Sequence, residues 1–488
     1  MKDNVLLKEK AVAGFVWKFF EKAGVQFIQV ILQLILARLL APSDYGEIAI
    51  LTVFISLSDV FIAQGLTTGL IQKKTIDELD YSSVYWANIL LSCLLYLCMW
   101  LIAPKVALFY GNERLKKILR VLSINIIIGA FGSVHNAFLS RKMEFQKSFA
   151  RNLTNVIVQG IVGIILAVKG FGVWSLVFSK LLGNIVGTAV MCITVQWNPK
   201  CLFSFKRVQN IFEYSVKILG TNLINTLFNN MHTIIIGKFY DDTTLGHYQR
   251  GQQIPQAAML AIDGSLEEVL YTTLSKCQDN IEELKRVLRR TMKMSYFLIA
   301  PMMIGLATIT PALIRVLLTE KWVECIPFMQ LSCIICLFWP MSARIHAINA
   351  IGKSNVTFKI SVISKIITLC LILVCVPLGI YAIMYGTILA SIVSMCIVSY
   401  YVKKYIYYSG IELIRDLVPT LASTFIMGMI VYLIGHLFSN DLLKLIVQVL
   451  CGFIIYILMA NLSKNDSYVY ILSYLKSKKV SKIDLHEN

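Results

Sequence analysis

Seven lysines and arginines fall where a bilayer would leave them without water. Lys18, Lys22, Lys180, Lys217, Arg250, Arg344 and Lys365 lie inside stretches otherwise apolar enough to cross a membrane, while Lys359 and Lys444 are close enough to the ends of such stretches to reach the headgroups. A lysine or arginine facing lipid at mid-membrane costs about 2.5–3.5 kcal/mol, so each of the seven needs a carboxylate, a polar helix neighbour or a hydrated cavity. Two have an acid on their own helix face: Glu21 follows Lys18 by three residues, and Glu213 precedes Lys217 by four. Lys22, Lys180, Arg250, Arg344 and Lys365 have none at that spacing, which leaves an acid on another helix, such as Asp59 or Asp263, or a bound anion. The cations outnumber the local acids, a balance that suits an anionic ligand. Glu21, Asp59 and Asp263 are the candidates for binding a coupling ion.

Further polar groups follow one helix face. Asn222, Asn225, Asn229 and His232 recur at helical spacing in a stretch near 209–236, as expected where a spanning helix lines water or another helix. His135 and His346 read as packed histidines. Cys333 and Cys336 have redox spacing but sit in an apolar helix pattern. The twelve cysteines lie mostly in apolar stretches and read as small hydrophobes. Ala347 to Ser354 resembles a phosphate-binding loop, yet its first glycine is alanine and it ends a helix instead of following a strand, so ATP hydrolysis is not expected. With no histidine or cysteine set at metal spacing, neither a metal nor another cofactor is expected, and no long loop exists to carry an enzyme site.

These residues need a membrane fold around them. The 488 residues are 57% hydrophobic and 15% charged, with a mean hydropathy of +0.69, more apolar surface than a soluble core could bury. Apolar runs predict spanning helices near 11–37, 45–71, 83–104, 118–139, 150–168, 172–194, 209–236, 244–272, 294–317, 322–350, 355–377, 379–402, 415–437 and 441–463. The class is an all-α polytopic membrane protein of about fourteen helices. Met1 to Lys10 is polar and basic with no short apolar core behind it, so no cleaved leader is expected. Lysine and arginine concentrate in alternate connections, around Lys73, Arg141, Arg207, Arg289, Lys403 and Lys476, which places both termini in the cytoplasm. The net charge of +18 is mostly this bias, and anionic lipid explains it without nucleic acid.

The chain repeats itself. Arg38 and Gly46, around a reversal containing Pro42 and Asp44, return 200 residues later as Lys238 and Gly246. Pro42 is expected to stop one helix, and Asp44 with Glu47 to form a capping box opening the next. A second echo pairs Gly172-Val-Trp174 with Gly379-Ile-Tyr381 at an offset of 207. Two six-helix lobes follow, at 1–207 and 208–403, related by a pseudo-two-fold axis along the membrane normal and enclosing a cavity. Two extra helices at 404–463 and a basic tail at 464–488 complete the expected organisation.

Leu36-Ala-Arg38-Leu-Leu-Ala-Pro42 to Gly46, Gln72-Lys73-Lys74, Arg141-Lys-Met-Glu-Phe145, Gly172-Val-Trp174-Ser-Leu, and Ile235-Ile-Gly237-Lys238 to Tyr248 together resemble the polysaccharide-transporter branch of the MOP superfamily, closest to colanic-acid and teichuronic-acid exporters. The likeness runs to the twelfth helix, and the order of the motifs carries it. One departure is Tyr248-Gln-Arg250-Gly251, where members have a small apolar residue in place of the glycine. The resemblance implies a flippase of the bacterial inner membrane that turns undecaprenyl-pyrophosphate-linked oligosaccharide units outward for surface polysaccharides such as lipopolysaccharide, driven by a gradient of H+ or Na+ and working beside a polysaccharide polymerase. Two alternatives stand: a MATE-type multidrug antiporter, disfavoured by the excess of embedded cations, and a non-transporting scaffold of envelope assembly, which would not need them.

Overall fold

Pro42 opens a helix here instead of ending one. The computed structural model describes residues 24–73, 75–142, 144–276, 280–463 and 465–469, and over 261–273 the backbone alone. In it Ala41 caps a helix that begins at Pro42, whose fixed φ and missing N–H suit the first helical position. Asp44 acts from inside the first turn, accepting a 3.0 Å hydrogen bond from the Ala41 N–H. The expected capping box from Asp44 to Glu47 is therefore not made: the cap is Ala41, and only the reach of Asp44 back to its N–H is present, since alanine has no side-chain acceptor to answer it.

The described elements are all helical. They are α1 (Gly24–Leu39), α2 (Pro42–Gln72), α3 (Glu78–Tyr110), α4 (Arg114–Lys142), α5 (Phe145–Val168), α6 (Val173–Thr194), α7 (Phe205–Asn229), α8 (Met231–Phe239) and α9 (Asp242–Lys276). After them come α10 (Ile281–Leu317), α11 (Cys325–Ala350), α12 (Ser354–Leu378), α13 (Ile380–Ile406), α14 (Gly410–Gly435) and α15 (Asp441–Leu462). Among the described residues, eleven helices are long and apolar enough to cross a membrane. The expected spans at 209–236 and 244–272 are helical but not among those eleven, and 11–37 is described only from Gly24. Length and hydropathy alone thus do not reproduce fourteen. The reason is polarity: α7 and α9 carry the amides and charges that the sequence assigned to function.

Two compact units divide the chain inside α9, at Met1–Gln249 and Arg250–Asn488. A repeat boundary at 207/208 concerns symmetry and not packing, and we keep it as a proposal. In the first unit α5 and α6 pack closely because Gly183 and Gly187 lie one turn apart on α6. A Cβ on Gly183 would stand 2.4 Å from the Gln159 side chain and 2.9 Å from the Asn155 carbonyl oxygen, so only small residues let the backbones meet. In the second unit α10, α11, α13 and α14 share a core that includes Leu284, Tyr296, Ile348, Val402 and Leu417. Cys333 and Cys336 are free and buried against Met259 and Ile299, as their apolar setting predicts.

Candidate functional site

Three polar assemblies of the first unit lie along α2, one at each end and one between. At the Pro42 end the two copies of the repeated reversal touch. The Gly46 Cα faces the carbonyl of Asp242, where an added Cβ would lie 1.8 Å from the oxygen, and Gly246 faces the carbonyl of Pro42, at 1.9 Å. The contact is reciprocal: position 46 meets position 42 of the other copy, and the reverse, at the offset of 200 read from the sequence. Asn112 clasps this junction by donating from Nδ2 to Glu47 at 3.0 Å and to Asp242 at 2.8 Å. Gly172, at φ +54°, packs against the Asp44 carboxylate, and Lys238 donates to the Phe109 carbonyl at 2.5 Å. Three of the sequence motifs converge here.

At the other end of α2, about 46 Å away for a helix of 31 residues, the remaining motifs meet. Arg141 places one guanidinium nitrogen 3.0, 2.8 and 2.7 Å from the carbonyls of Leu70, Ile71 and Lys73, satisfying the exposed end of the helix and opposing its dipole. Lys73 in turn reaches the fully buried Asp80 at 2.6 Å, and Arg207 bridges Asp80 at 3.4 Å and Asp77 at 3.1 Å. The Asp80 backbone N–H donates to Asp77, which with nearby Arg207 holds the Asp77 carboxyl below its ordinary range.

Between these ends lie the embedded charges. Asp59, in the middle of α2, keeps an exposed side chain and lies in the electrostatic field of Lys180 from α6, itself half-buried. Among the described residues neither makes an ion pair within 4.0 Å. The stretch Phe61–Leu66 immediately after Asp59 is a π-helix, a widened turn of the kind that often marks functional positions. The break between α7 and α8 falls at Asn230, whose Nδ2 donates to Ser56 at 3.5 Å, one turn before Asp59. Of the predicted stripe, Asn222 and Asn225 are half-buried, Asn229 is exposed, and His232 stacks on Tyr248 at 6.4 Å. Asn230, which the sequence reading passed over, makes the link to α2.

The other predicted residues are dispersed. Glu213 accepts from Gln209 at 3.2 Å and forms no ion pair with Lys217, an exposed lysine, so the expected same-helix pair is not made among the described residues. Arg250 is buried beside Gln253, with its guanidinium 5.3 Å from the Trp322 ring centre. The neighbouring Gly251 explains its own departure from the motif: a Cβ would stand 2.7 Å from Phe328 and 2.9 Å from the Met329 nitrogen. Arg344 is 1% exposed, donates to Ser399 at 2.6 Å and to the Met395 carbonyl at 3.4 Å, and packs in the protein interior instead of on accessible space. Lys365 is half-buried on α12. Lys18, Glu21 and Lys22, and the side chain of Asp263, lie outside the described residues. Nor does any cluster of three metal-ligating side chains occur among the described residues.

A fourth assembly had only a faint sequence signal. Gln159 donates to Asn155 at 2.7 Å, Asn155 to Asn184 at 3.0 Å, Asn184 to Asn125 at 2.7 Å, and Asn125 to the Leu122 carbonyl at 3.0 Å. This amide chain ties α5, α6 and α4 together inside their apolar stretches, each link polarising the next. The four-residue spacing of Asn155 and Gln159 was its one legible trace.

The chain as a whole is similar to known proteins. The succinoglycan biosynthesis transport protein ExoT of Rhizobium meliloti is 22% identical over 478 residues, 95% of each chain. The lipopolysaccharide biosynthesis protein WzxC of Escherichia coli is 22% identical over 73% of each chain, and the teichuronic acid biosynthesis protein TuaB of Bacillus subtilis 22% identical over 67% of this chain and 68% of its own. In fold, the chain matches the lipid II flippase MurJ in an inward closed conformation with a TM-score of 0.75, at 17% identity over 93% of this chain and 99% of that one. A multidrug resistance MATE family transporter of the MOP superfamily, inward-facing, matches with a TM-score of 0.63 at 13% identity, over 78% and 94% of the chains. Residues 35–327, more than half the chain and a stretch that includes both ends of α2, fit the family described as polysaccharide biosynthesis protein, and this membrane protein belongs to it.

Proposed function

We propose that the chain moves an undecaprenyl-pyrophosphate-linked oligosaccharide unit across the bacterial cytoplasmic membrane by alternating access, for assembly of a surface polysaccharide. Family membership and relatives named for succinoglycan, lipopolysaccharide and teichuronic acid biosynthesis support the polysaccharide class, and the fold of a lipid II flippase supports a lipid-linked cargo. The observation that carries the reading is Lys180: a half-buried cation within a span, with Asp59 of α2 as its electrostatic partner and no ion pair within 4.0 Å among the described residues. A diphosphate stays charged throughout its passage, so a cation on its path lowers the barrier where lipid offers nothing. Asp59 is then the group through which an H+ or Na+ gradient acts. Lys22, Arg250 and Lys365 extend the cationic set, while the enclosed Arg344 does not, and a polymerase receives the product.

Lys180→Ala should cut surface polysaccharide in a deletion strain about tenfold or more while the protein still reaches the membrane, as expected for one lost charge-assisted contact. Lys180→Arg should retain part of the export, since charge persists while geometry changes. Asp59→Asn should lower export without changing abundance. If Lys180→Ala and Arg250→Ala both export normally at normal abundance, the cationic path is wrong. A multidrug antiporter would instead depend on Asp59 and be indifferent to Lys180.

Orientation is tested separately. Single cysteines beside Lys74 and at Arg289 should react only with a permeant thiol reagent, and those at Asp44 and Asp241 with an impermeant one added to whole cells. Labelling of the Asp44 and Arg289 positions from the same side would refute the topology.

A further inference from the structure

Lys180 has a neutral polar neighbour on its own helix. Asn184 follows it by four residues, so the two side chains stand on one face of α6, about 6 Å apart along the axis. Asn184 is also the middle of the amide chain, accepting from Asn155 at 3.0 Å and donating to Asn125 at 2.7 Å. Exposed apolar side chains form a stripe on each of the two helices, at Leu182, Ile185 and Ile193 of α6 and at Ile157, Ile161 and Ile165 of α5. In the membrane-spanning reading these stripes meet hydrocarbon. At about 100° per residue, Lys180 and Asn184 on α6, and Asn155 and Gln159 on α5, lie about 120–175° round their helices from the middle of those stripes. The amides therefore share with Lys180 the side of the α5–α6 pair that is turned away from lipid.

Hydrogen-bonding capacity remains on that side. Each primary amide has two N–H donors and a carbonyl with two lone pairs. Every member of the chain spends one N–H on the next link, and the Gln159 carbonyl accepts nothing among the described residues. Sealed, unpartnered amide oxygens of this unit belong to Gln64 and Asn88 but not to Gln159, so the Gln159 oxygen is open to solvent. Asn125 is buried, whereas Asn155, Gln159 and Asn184 are half-buried, each with its second N–H unspent. Packing fixes these groups in advance. A Cβ at Gly183 would stand 2.4 Å from Gln159 Cγ and 2.6 Å from Asn155 Oδ1, and one at Gly187 3.1 Å from Asn155 Cβ, so the two glycines hold the amides in place and lower the ordering cost of binding.

We infer that Asn184, Asn155 and Gln159 hydrogen-bond the hydroxyls of the sugar that follows the diphosphate, and so make transport depend on the sugar as well as on the charge. A cation answers the phosphate, and one turn along the same face, a rise comparable with the width of a pyranose ring, amides answer the hydroxyls. A primary amide meets neighbouring hydroxyls with an N–H and a carbonyl at once. A site that hydrogen-bonds hydroxyls also rejects a cargo lacking them, because its own polar groups then go unpaired. The inference rests on the proposal that Lys180 meets the diphosphate of a lipid-linked sugar.

Binding to the purified full chain in detergent tests it, by native mass spectrometry with undecaprenyl diphosphate and its glucosyl, galactosyl and N-acetylglucosaminyl forms as the probes. The parent should hold at least one glycosylated form about tenfold more tightly than the bare diphosphate, the effect of two neutral hydrogen bonds. Gln159→Leu removes the outermost amide and leaves the links from Asn155 to Asn184 and Asn125 in place; it should bring that ratio close to one. Asn184→Leu should do the same with a lower melting temperature, since it also cuts the chain. Lys180→Ala should weaken all the probes together. A parent ratio near one for every sugar, or a ratio that survives Gln159→Leu, overturns the amide assignment and leaves the Lys180 reading standing. Equal weakening of all the probes by Gln159→Leu, with a lower melting temperature, assigns the chain to helix packing and overturns the inference as well. A parent that binds none of the probes refutes the diphosphate cargo, and the sugar contact with it.

Discussion

Replacing Gly46 or Gly246 with alanine should deplete the membrane of folded protein. The new methyl would collide with a backbone carbonyl at 1.8 or 1.9 Å, and a carbonyl in a helix's first turn cannot swing aside as a side chain could. Overpacking costs about 1–3 kcal/mol where neighbours yield, and here a whole helix must shift, so the upper end is expected. Losses of that size change cellular abundance several-fold. Gly65→Ala and Gly220→Ala, where an added carbon would meet nothing within 4 Å, are the controls and should be tolerated. Quantitative immunoblots of membrane fractions decide the matter; parental levels of Gly46→Ala would mean that the two reversals do not interlock in the membrane.

Arg141→Ala should be the most damaging single loss of charge. It strips three carbonyls at the end of α2 of their donor, and hydrogen bonds to a charged group contribute about 1.5–3 kcal/mol each when made well. Because one nitrogen is shared among all three and water reaches part of the site, we expect a total near 3 kcal/mol, read as a lower melting temperature of the purified protein. Arg141→Lys keeps the charge but presents it as a point instead of a fork, and should fall between the two. A lysine variant as unstable as the alanine one would show that geometry and not the helix dipole sets the effect.

Charge and hydropathy made the membrane class legible, and a fixed offset made the repeat legible, because both are linear properties of the chain. Spatial partnership was not. The sequence showed Gln72-Lys73 and Arg141 as separate motifs, and nothing in it joins a guanidinium to carbonyls some seventy residues away. Arg344 looked like Lys180 on paper, each a cation without a local acid, yet one is enclosed by Ser399 and Met395 and the other is half-buried with Asp59 of another helix as its electrostatic partner. Intramembrane charge says only that a polar neighbour exists, and whether that neighbour is protein or cargo depends on helix rotation. The Glu213–Lys217 pair failed for the same reason: i,i+4 spacing permits a contact, while Gln209 at the same spacing on the other side competes for the acid.

The junction of the two reversals obeys the contact rule of an isologous dimer, in which residue i of one subunit meets j of the other and j meets i. Here both subunits are written in one chain. A true dimer could not vary one side of such an interface without varying the other, but a fused pair can. Glu47 has His247 as its counterpart, and Asp44 has Thr244, which donates to Asp241 where Asp44 accepts from Ala41. Backbone symmetry has been kept at the glycines while charge symmetry has been abandoned around them. The junction is thus a two-fold joint whose acids stand at unmatched positions, Glu47 in one copy opposite His247 and Asp242 in the other opposite Pro42, an asymmetry that no homodimer of a half-length chain could possess.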